Sequence, residues 1–447
     1  MSKMTIGFVP IARPTFDVEF AQNMTNRARA RLAEAGFELI ETDGLVMSLE
    51  DAQAAAAGIS AESPDLLLVF HASFADSTMM MCLAEWVDCP LLMWAVPEER
   101  TGARLRLNSL CGLNLAAHAL TRKGYLYDYI YALPESDEAI EKIKTVALAA
   151  SAGKKLQGTQ IGRLGENPTG FETCIPNYDL LKNRLGVTVV QYDLMTFIDQ
   201  VEQHRSSPGS FVEVAHKLEA QLENYSELDQ TATHGTLATF VTLRELAAKD
   251  KLSGFAVRCW PEFFTEMGCA ACGAMSLMNQ DQIPCGCEAD VNGTITHLIL
   301  QWVSGEPAFN SDIVDFDLGE NTAVLWHCGQ APLSMADPAR PVRGTIHSNR
   351  KLPLLMEFTL KPGRVTLARL SETAGDFRLV IGSGEIITAP PSFSGTSGVI
   401  RFDRPAKDVL DILIREGLEH HVALAYGNHV SVLETLARQL DLPILYL

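Results

Sequence analysis

"PCGCEADVNGTITHLILQW", residues 284–302, decides how the rest of the chain is read. An apolar approach ends in two cysteines and two carboxylates, Glu288 and Asp290. Asn292 and Gly293 follow, then an apolar run of helical character. A buried strand that stops at an acidic lip and passes into a helix is the repeating unit of an open α/β sheet. In such sheets ligands sit beyond the carboxyl ends of the strands. The two acids either close a turn or hold something.

The same plan stands upstream in "GFAVRCWPEFF", residues 254–264. Pro261 cannot continue a ladder, so the strand stops at Trp260 and leaves Glu262 at its lip, with Glu266 one turn on. Taken singly, each acid is better read as a turn or helix-start residue favoured by the helix dipole. Taken as a pair from two strand ends, Glu262 or Glu266 with Asp290 points to function. A third element is "EGLEHHVALAYGNHV", residues 416–430, where His420 and His421 precede an apolar strand and His429 follows it. Strand alternation turns His420 and His421 to opposite faces. A lone histidine is usually structural. One at an element boundary beside two carboxylate lips fits a divalent cation. Two carboxylates, one imidazole and open water positions suit Mn²⁺, Mg²⁺ or Co²⁺ better than a closed zinc cage.

Working outward, continuous apolar strands alternate with helices from "MTIGFVPI" through "PDLLLVFHA" and "PLLMWAVPE". That pattern marks a parallel sheet covered on both faces. His71, Pro97 with Glu98, and "SLCGLN" at 109–114 fall at strand ends. A second alternating unit starts near "TQIGRLG" and includes "VTVVQYDL". Beyond residue 310 the pattern becomes alternating strands with Gly, Pro and Asp turns, an antiparallel β domain. The expected fold is α/β: two doubly wound parallel-sheet domains, then an antiparallel β-barrel-like domain with a C-terminal α/β extension. The boundaries read 1–155, 156–320, 321–407 and 408–447, and the extension, carrying His421, is expected beside the second α/β unit.

With 47% hydrophobic and 20% charged residues, the 447-residue chain has a globular composition. Its net charge of −19 repels nucleic acid and anionic membranes, so neither is an expected partner. No apolar run is long enough to span a membrane. Ten scattered cysteines and the lack of a leading signal segment predict a reducing, cytoplasmic setting. "CAACG", Cys269 to Cys272, has the spacing of a redox or zinc pair. Its Ala- and Gly-rich surroundings favour packing, and a thiol oxidoreductase ranks last. Arg258, inside an apolar strand, needs a partner if buried. His327 in "LWHCG" and His347, Arg350 and Lys351 in "HSNRK" read as turn residues or as contacts to a hydroxylated or anionic ligand. Arg258, Trp260, Glu266, Asn292, His327 and Arg350 are the candidate substrate contacts.

Together, "RCWPE" (258–262), "CEADVNG" (287–293), "LWHCG" (325–329) and "EGLEHHVALAYGNH" (416–429) resemble the L-fucose/L-arabinose isomerase superfamily, in its shorter fucose-isomerase-like branch. The resemblance covers most of the chain. It implies a metal-dependent aldose–ketose isomerase that moves a proton between C1 and C2 of a sugar through an enediol, with Mn²⁺ held by two carboxylates and a histidine. By position, Asp290 matches the second carboxylate and His421 the histidine. Glu262 is the choice for the first carboxylate, with Glu266 in reserve, and Glu262 and Asp290 double as acid and base. The resemblance further implies a trimer or hexamer in which the N-terminal domain covers a neighbour's site, with His71, Trp94 and Asn114 contributing in trans. The competing reading is a non-catalytic sugar-binding protein of the same fold.

Overall fold

The computed structural model describes residues 4–447 and divides into two compact units. One runs to Lys155 and adds Glu434–Asp441; the other holds Leu156–Leu433 and Leu442–Leu447. In the first, strands β1 (Thr5–Ile11), β2 (Glu38–Glu41), β3 (Leu66–His71), β4 (Leu91–Ala95) and β5 (Asp128–Tyr131) form a parallel sheet in the order β2-β1-β3-β4-β5. Phe8, Phe70 and Trp94 pack on one face, and Val9, Val69 and Met93 on the other. Covering both faces is why these strands are apolar without alternation.

The second unit begins with a parallel sheet of β6 (Gln160–Leu164), β7 (Thr188–Tyr192), β8 (Gly254–Val257) and β9 (Cys285–Gly286), in the order β7-β6-β8-β9. The helix Val291–Ser304 starts immediately beyond β9, capped by Asp290, whose Oδ1 accepts the Gly293 N–H at 2.8 Å.

Next come β10 (Phe309–Asp317), β11 (Thr322–His327), β12 (Arg343–Thr345), β13 (Leu355–Thr359), β14 (Gly363–Ser371), β15 (Arg378–Ile387), β16 (Thr396–Phe402), β17 (His421–Tyr426) and β18 (Ile444–Tyr446). Six of them close a ring of antiparallel pairs, β16-β11-β10-β17-β14-β15 and back to β16. The fold is therefore two parallel-sheet α/β layers and a closed antiparallel barrel with a C-terminal extension.

That extension also enters the barrel. β17 is a barrel stave between β10 and β14, and β18 pairs in parallel with β15. Its apolar run, His421–Tyr426, is buried almost throughout because a barrel stave buries one face in the lumen and the other under covering helices. β10, which the boundary at 320 assigned to the second domain, is also a stave.

Candidate functional site

The site grows from the buried group around Asp290. Asp290 and Arg369, on β14, are both almost fully buried and form a two-point ion pair, Nη1 to Oδ2 at 2.5 Å and Nη2 to Oδ1 at 3.1 Å. Gly293 makes the pair possible: a Cβ there would collide with the Asp290 carboxylate and lie 3.0 Å from Arg369 Nη1. Asp290 Oδ2 also accepts from His421 Nδ1 at 2.9 Å. Burial alone would raise the Asp290 pKa, but the Arg369 charge and the His421 hydrogen bond hold it well below the usual carboxylate range. Burial likewise opposes protonation of His421, and the acids around it outweigh that and shift it upward.

With Nδ1 committed to Asp290, the Nε2 of His421 turns to two other carboxylates. It lies 3.9 Å from Glu288 Oε2 and 3.8 Å from Asp312 Oδ1. Asp312 Oδ1 is buried without a hydrogen-bond partner, and burial raises its pKa. Glu288 is held at both oxygens: Trp260 Nε1 donates to Oε1 at 3.2 Å, and His420 Nε2 lies 3.1 Å from Oε2. Ligand atoms of Cys174, Glu288, His420 and His421 lie within 4.8 Å of one another, as do those of Asp312, His327 and His421. Each acid stands 3.8 to 3.9 Å from the His421 Nε2 without hydrogen-bonding to it, and carboxylate oxygens with an imidazole suit a hard cation. His327 is buried, which pushes its pKa well below the ordinary histidine value. Its Nδ1 accepts the Cys328 N–H at 2.9 Å, so the neutral ring carries its proton on Nε2 and offers a donor.

The structure brings Asp290 and His421 together, but it does not bring Glu262 to them. Glu262 receives the Arg258 Nε at 2.9 Å on both oxygens, and that ion pair lowers its pKa against the effect of burial. Arg258 also donates to the carbonyls of Glu166 and Asn167. The reason is local: Pro261 starts a short helix, Glu262–Thr265, and Glu262 falls one turn after Arg258. Glu266 is exposed and accepts from Thr265. Asp290 is present but enclosed by four donors, so it supports His421 rather than facing open space. Asn292 donates to Glu372 Oε2 at 2.7 Å. Trp260 and His327 border the cluster, and Arg350 lies over the Trp260 ring. His420 and His421 do not diverge: their rings lie 4.0 Å apart, because His420 precedes β17 and escapes its alternation.

His71 and Trp94 are fully buried within the first unit, so they do not line an open pocket there, whereas Asn114 is exposed. Cys269 and Cys272 are buried and serve separate neighbours. Cys272 Sγ lies 3.2 Å from Cys328 and Cys287 Sγ lies 2.8 Å from Cys259, while burial pushes Cys269 up to about 12. All ten thiols are free, and no four-thiol group is found among the described residues.

Two charged members escaped the sequence reading. Asp312 sits in "FNSDIVDFD" and Arg369 in "VTLARLS", each a charged side chain inside a strand. A charge in a strand core needs a partner; that test, applied to Arg258, would have found both.

An open α/β fold joined to a barrel, with an acid–imidazole cluster where they meet, is the frame of an enzyme that handles small polar molecules. Residues 7–157 match the fucose/sulfoquinovose isomerase N-terminal domain, and residues 355–447 the L-fucose isomerase C-terminal domain. Sulfoquinovose isomerase of Priestia megaterium (strain ATCC 12872 / QMB1551) is 31% identical over 444 residues, 99% of each chain. That of Alkalicoccus urumqiensis is 32% identical over 446 residues, again 99% of each. The chain belongs to the fucose/sulfoquinovose isomerase family and is an enzyme of the aldose–ketose isomerase type. A solute-binding protein of Actinobacillus succinogenes 130z with bound D-allose aligns at 14% identity over 68% of this chain and 92% of that one. Its TM-score of 0.19 is too low to bear on fold or function.

Proposed function

We propose that the chain interconverts an aldose and its ketose by moving a proton between C1 and C2 through an enediol, at a divalent-cation site formed by Glu288, Asp312 and His421. The carrying observation is that His421 presents Nε2 to both acids, 3.9 and 3.8 Å away, while Asp290 holds its Nδ1. The partnerless buried oxygen of Asp312 fits the same cation. Mn²⁺ is the proposed ion, with Mg²⁺ and Co²⁺ as substitutes. When bound, it would supply Lewis acidity to the sugar's adjacent oxygens.

Glu288 takes the proton from C2 and returns it to C1. The Trp260 N–H and His420 keep its carboxylate aimed while the charge on it changes. Asp312 relays the proton between the two hydroxyl oxygens, and His327 donates its Nε2–H to a sugar oxygen. Asp290 keeps the His421 proton on Nδ1, as carboxylates behind ligating histidines do. The names of the relatives support a sulfonated aldose such as sulfoquinovose as substrate. Ten unpaired thiols suit a reducing cytoplasm, and assembly as a trimer or hexamer carries over from the family resemblance.

The test is incubation with a panel of aldoses and Mn²⁺ in D₂O, followed by NMR. The reading requires exchange of the C2 proton and formation of the ketose from at least one sugar. Exchange with none of them, at any of the three metals, would end it.

A further inference from the structure

We propose that Arg350, laid over Trp260 and Phe264, reads a tetrahedral oxyanion at the far end of the sugar; this assignment rests on the isomerase reading above. The guanidinium carbon lies 4.7 Å from the Trp260 ring centre and 5.2 Å from that of Phe264. The edge of the same indole holds Glu288. Arg350 and the carboxylate proposed to move the proton therefore touch the same indole, one over its face and one at its N–H edge. An extended six-carbon chain spans roughly 6 Å, at the ~1.2 Å per bond of an extended backbone. A sugar with its first two carbons at Glu288 has the length to bring its last substituent toward Arg350.

Charge sets Arg350 apart from the arginines bound into the buried ion pairs and the Glu262 pair. In a chain of net charge −19, Arg163, Arg258 and Arg369 are each paired with an acid. Arg350 has no carboxylate partner among the described residues; its polar side-chain contact is His347 Nε2, 3.4 Å from Nη1. His347 packs edge-on against Phe264 at 5.2 Å, and burial, with Arg350 and Lys351 nearby, pushes its pKa down to about 4. The brace is thus neutral near pH 7 and leaves the arginine's charge uncancelled. Two aromatic rings flank the guanidinium, and its N–H groups meet no carboxylate there. That fork matches sulfonate or phosphate oxygens.

The test uses the metal-loaded full chain with Arg350→Gln and Arg350→Lys. Substrates are sulfoquinovose, glucose 6-phosphate and glucose, read by initial rates and by calorimetric binding. The expected result is a rise of about 10- to 100-fold in KM and Kd for the anionic sugar in Arg350→Gln, with a smaller change in kcat. The preference for anionic over neutral sugar collapses, and Arg350→Lys recovers part of it. Whichever anionic sugar shows this dependence identifies the oxyanion as sulfonate or phosphate. Equal losses on anionic and neutral sugars would reduce Arg350 to a brace for Trp260 and overturn the proposal, as would an unchanged preference. Should the wild type bind sulfoquinovose through Arg350 yet isomerise nothing, the isomerase reading falls and the anion assignment stands.

Discussion

Asp290→Asn separates a carboxylate that supports a metal ligand from one that binds the metal itself. The wild-type carboxylate accepts from four N–H groups: Gly293 N, both Arg369 Nη atoms and His421 Nδ1. An amide offers one oxygen and turns an NH₂ toward donors. If its oxygen keeps the helix cap, the NH₂ faces Arg369 Nη1 and His421. If it flips, the cap is lost. Either way a fully buried Arg369 loses its counter-charge, leaving Glu419 at 3.8 Å. Breaking a buried pair by removing one partner costs about 3–5 kcal/mol. That loss should appear as a lower denaturant midpoint with an unchanged slope.

Loosening a carboxylate behind a ligating histidine should weaken Mn²⁺ binding about 10- to 100-fold. Direct titration of the metal into the stripped protein measures that. A stability loss below about 1 kcal/mol would refute the buried-pair account. A loss of Mn²⁺ affinity well beyond 100-fold, with stability intact, would refute the supporting role and restore Asp290 as a ligand.

Glu288→Gln should cut kcat about 10²- to 10⁴-fold, the range for a missing acid–base group, and weaken Mn²⁺ binding without unfolding the protein. Steady-state rates beside a thermal melt check both halves. Glu262→Gln should leave Mn²⁺ affinity within about threefold, since Glu262 faces Arg258, and cost about 1 kcal/mol or less for a partly exposed pair. A large loss of metal affinity there would favour Glu262 as the first ligand. Mn²⁺ at 100 times its Kd should stabilise the stripped protein by about 2.7 kcal/mol, visible as a raised melting temperature. An unchanged melt would argue against a native cation site.

Much of this was legible in sequence because it follows from repeating patterns. Apolar strands without alternation gave a doubly covered parallel sheet, and alternation after residue 310 gave the barrel. His421 at a strand start and Asp290 of "CEAD" lie side by side in the fold. The partner of each acid was not legible. Glu262 looked like a lip residue because Pro261 ends the strand, but the arginine four residues earlier claims it. Asp312 was hidden among three acids of one nine-residue strand, Asp312, Asp315 and Asp317, with no motif to single it out. That the C-terminal strand is a barrel stave was not legible, because an apolar strand after a helix reads the same whether it joins a parallel layer or closes a barrel.

The deciding step lies between Glu288 and Asp290. Two residues apart on a strand, they would share a face. They do not, because Glu288 and Ala289 both adopt left-handed backbone, each with φ near 57°. Neither is glycine, so the turn stores strain of order 1–3 kcal/mol per residue. The surroundings hold it there: the Asn167 carboxamide donates to both carbonyls, at 2.8 and 3.1 Å, and Arg163 and Arg258 fix Asn167 in turn. The turn sends Asp290 inward to Arg369 and His421 and leaves Glu288 beside Trp260 and His420, with one edge in reach of solvent. A buried arginine paired with Asp290 beside the histidine and a strained turn that sets Glu288 apart are thus two consequences of one three-residue step. Residues distant in sequence impose it, which is why the stretch itself could show the acids but not their division of labour.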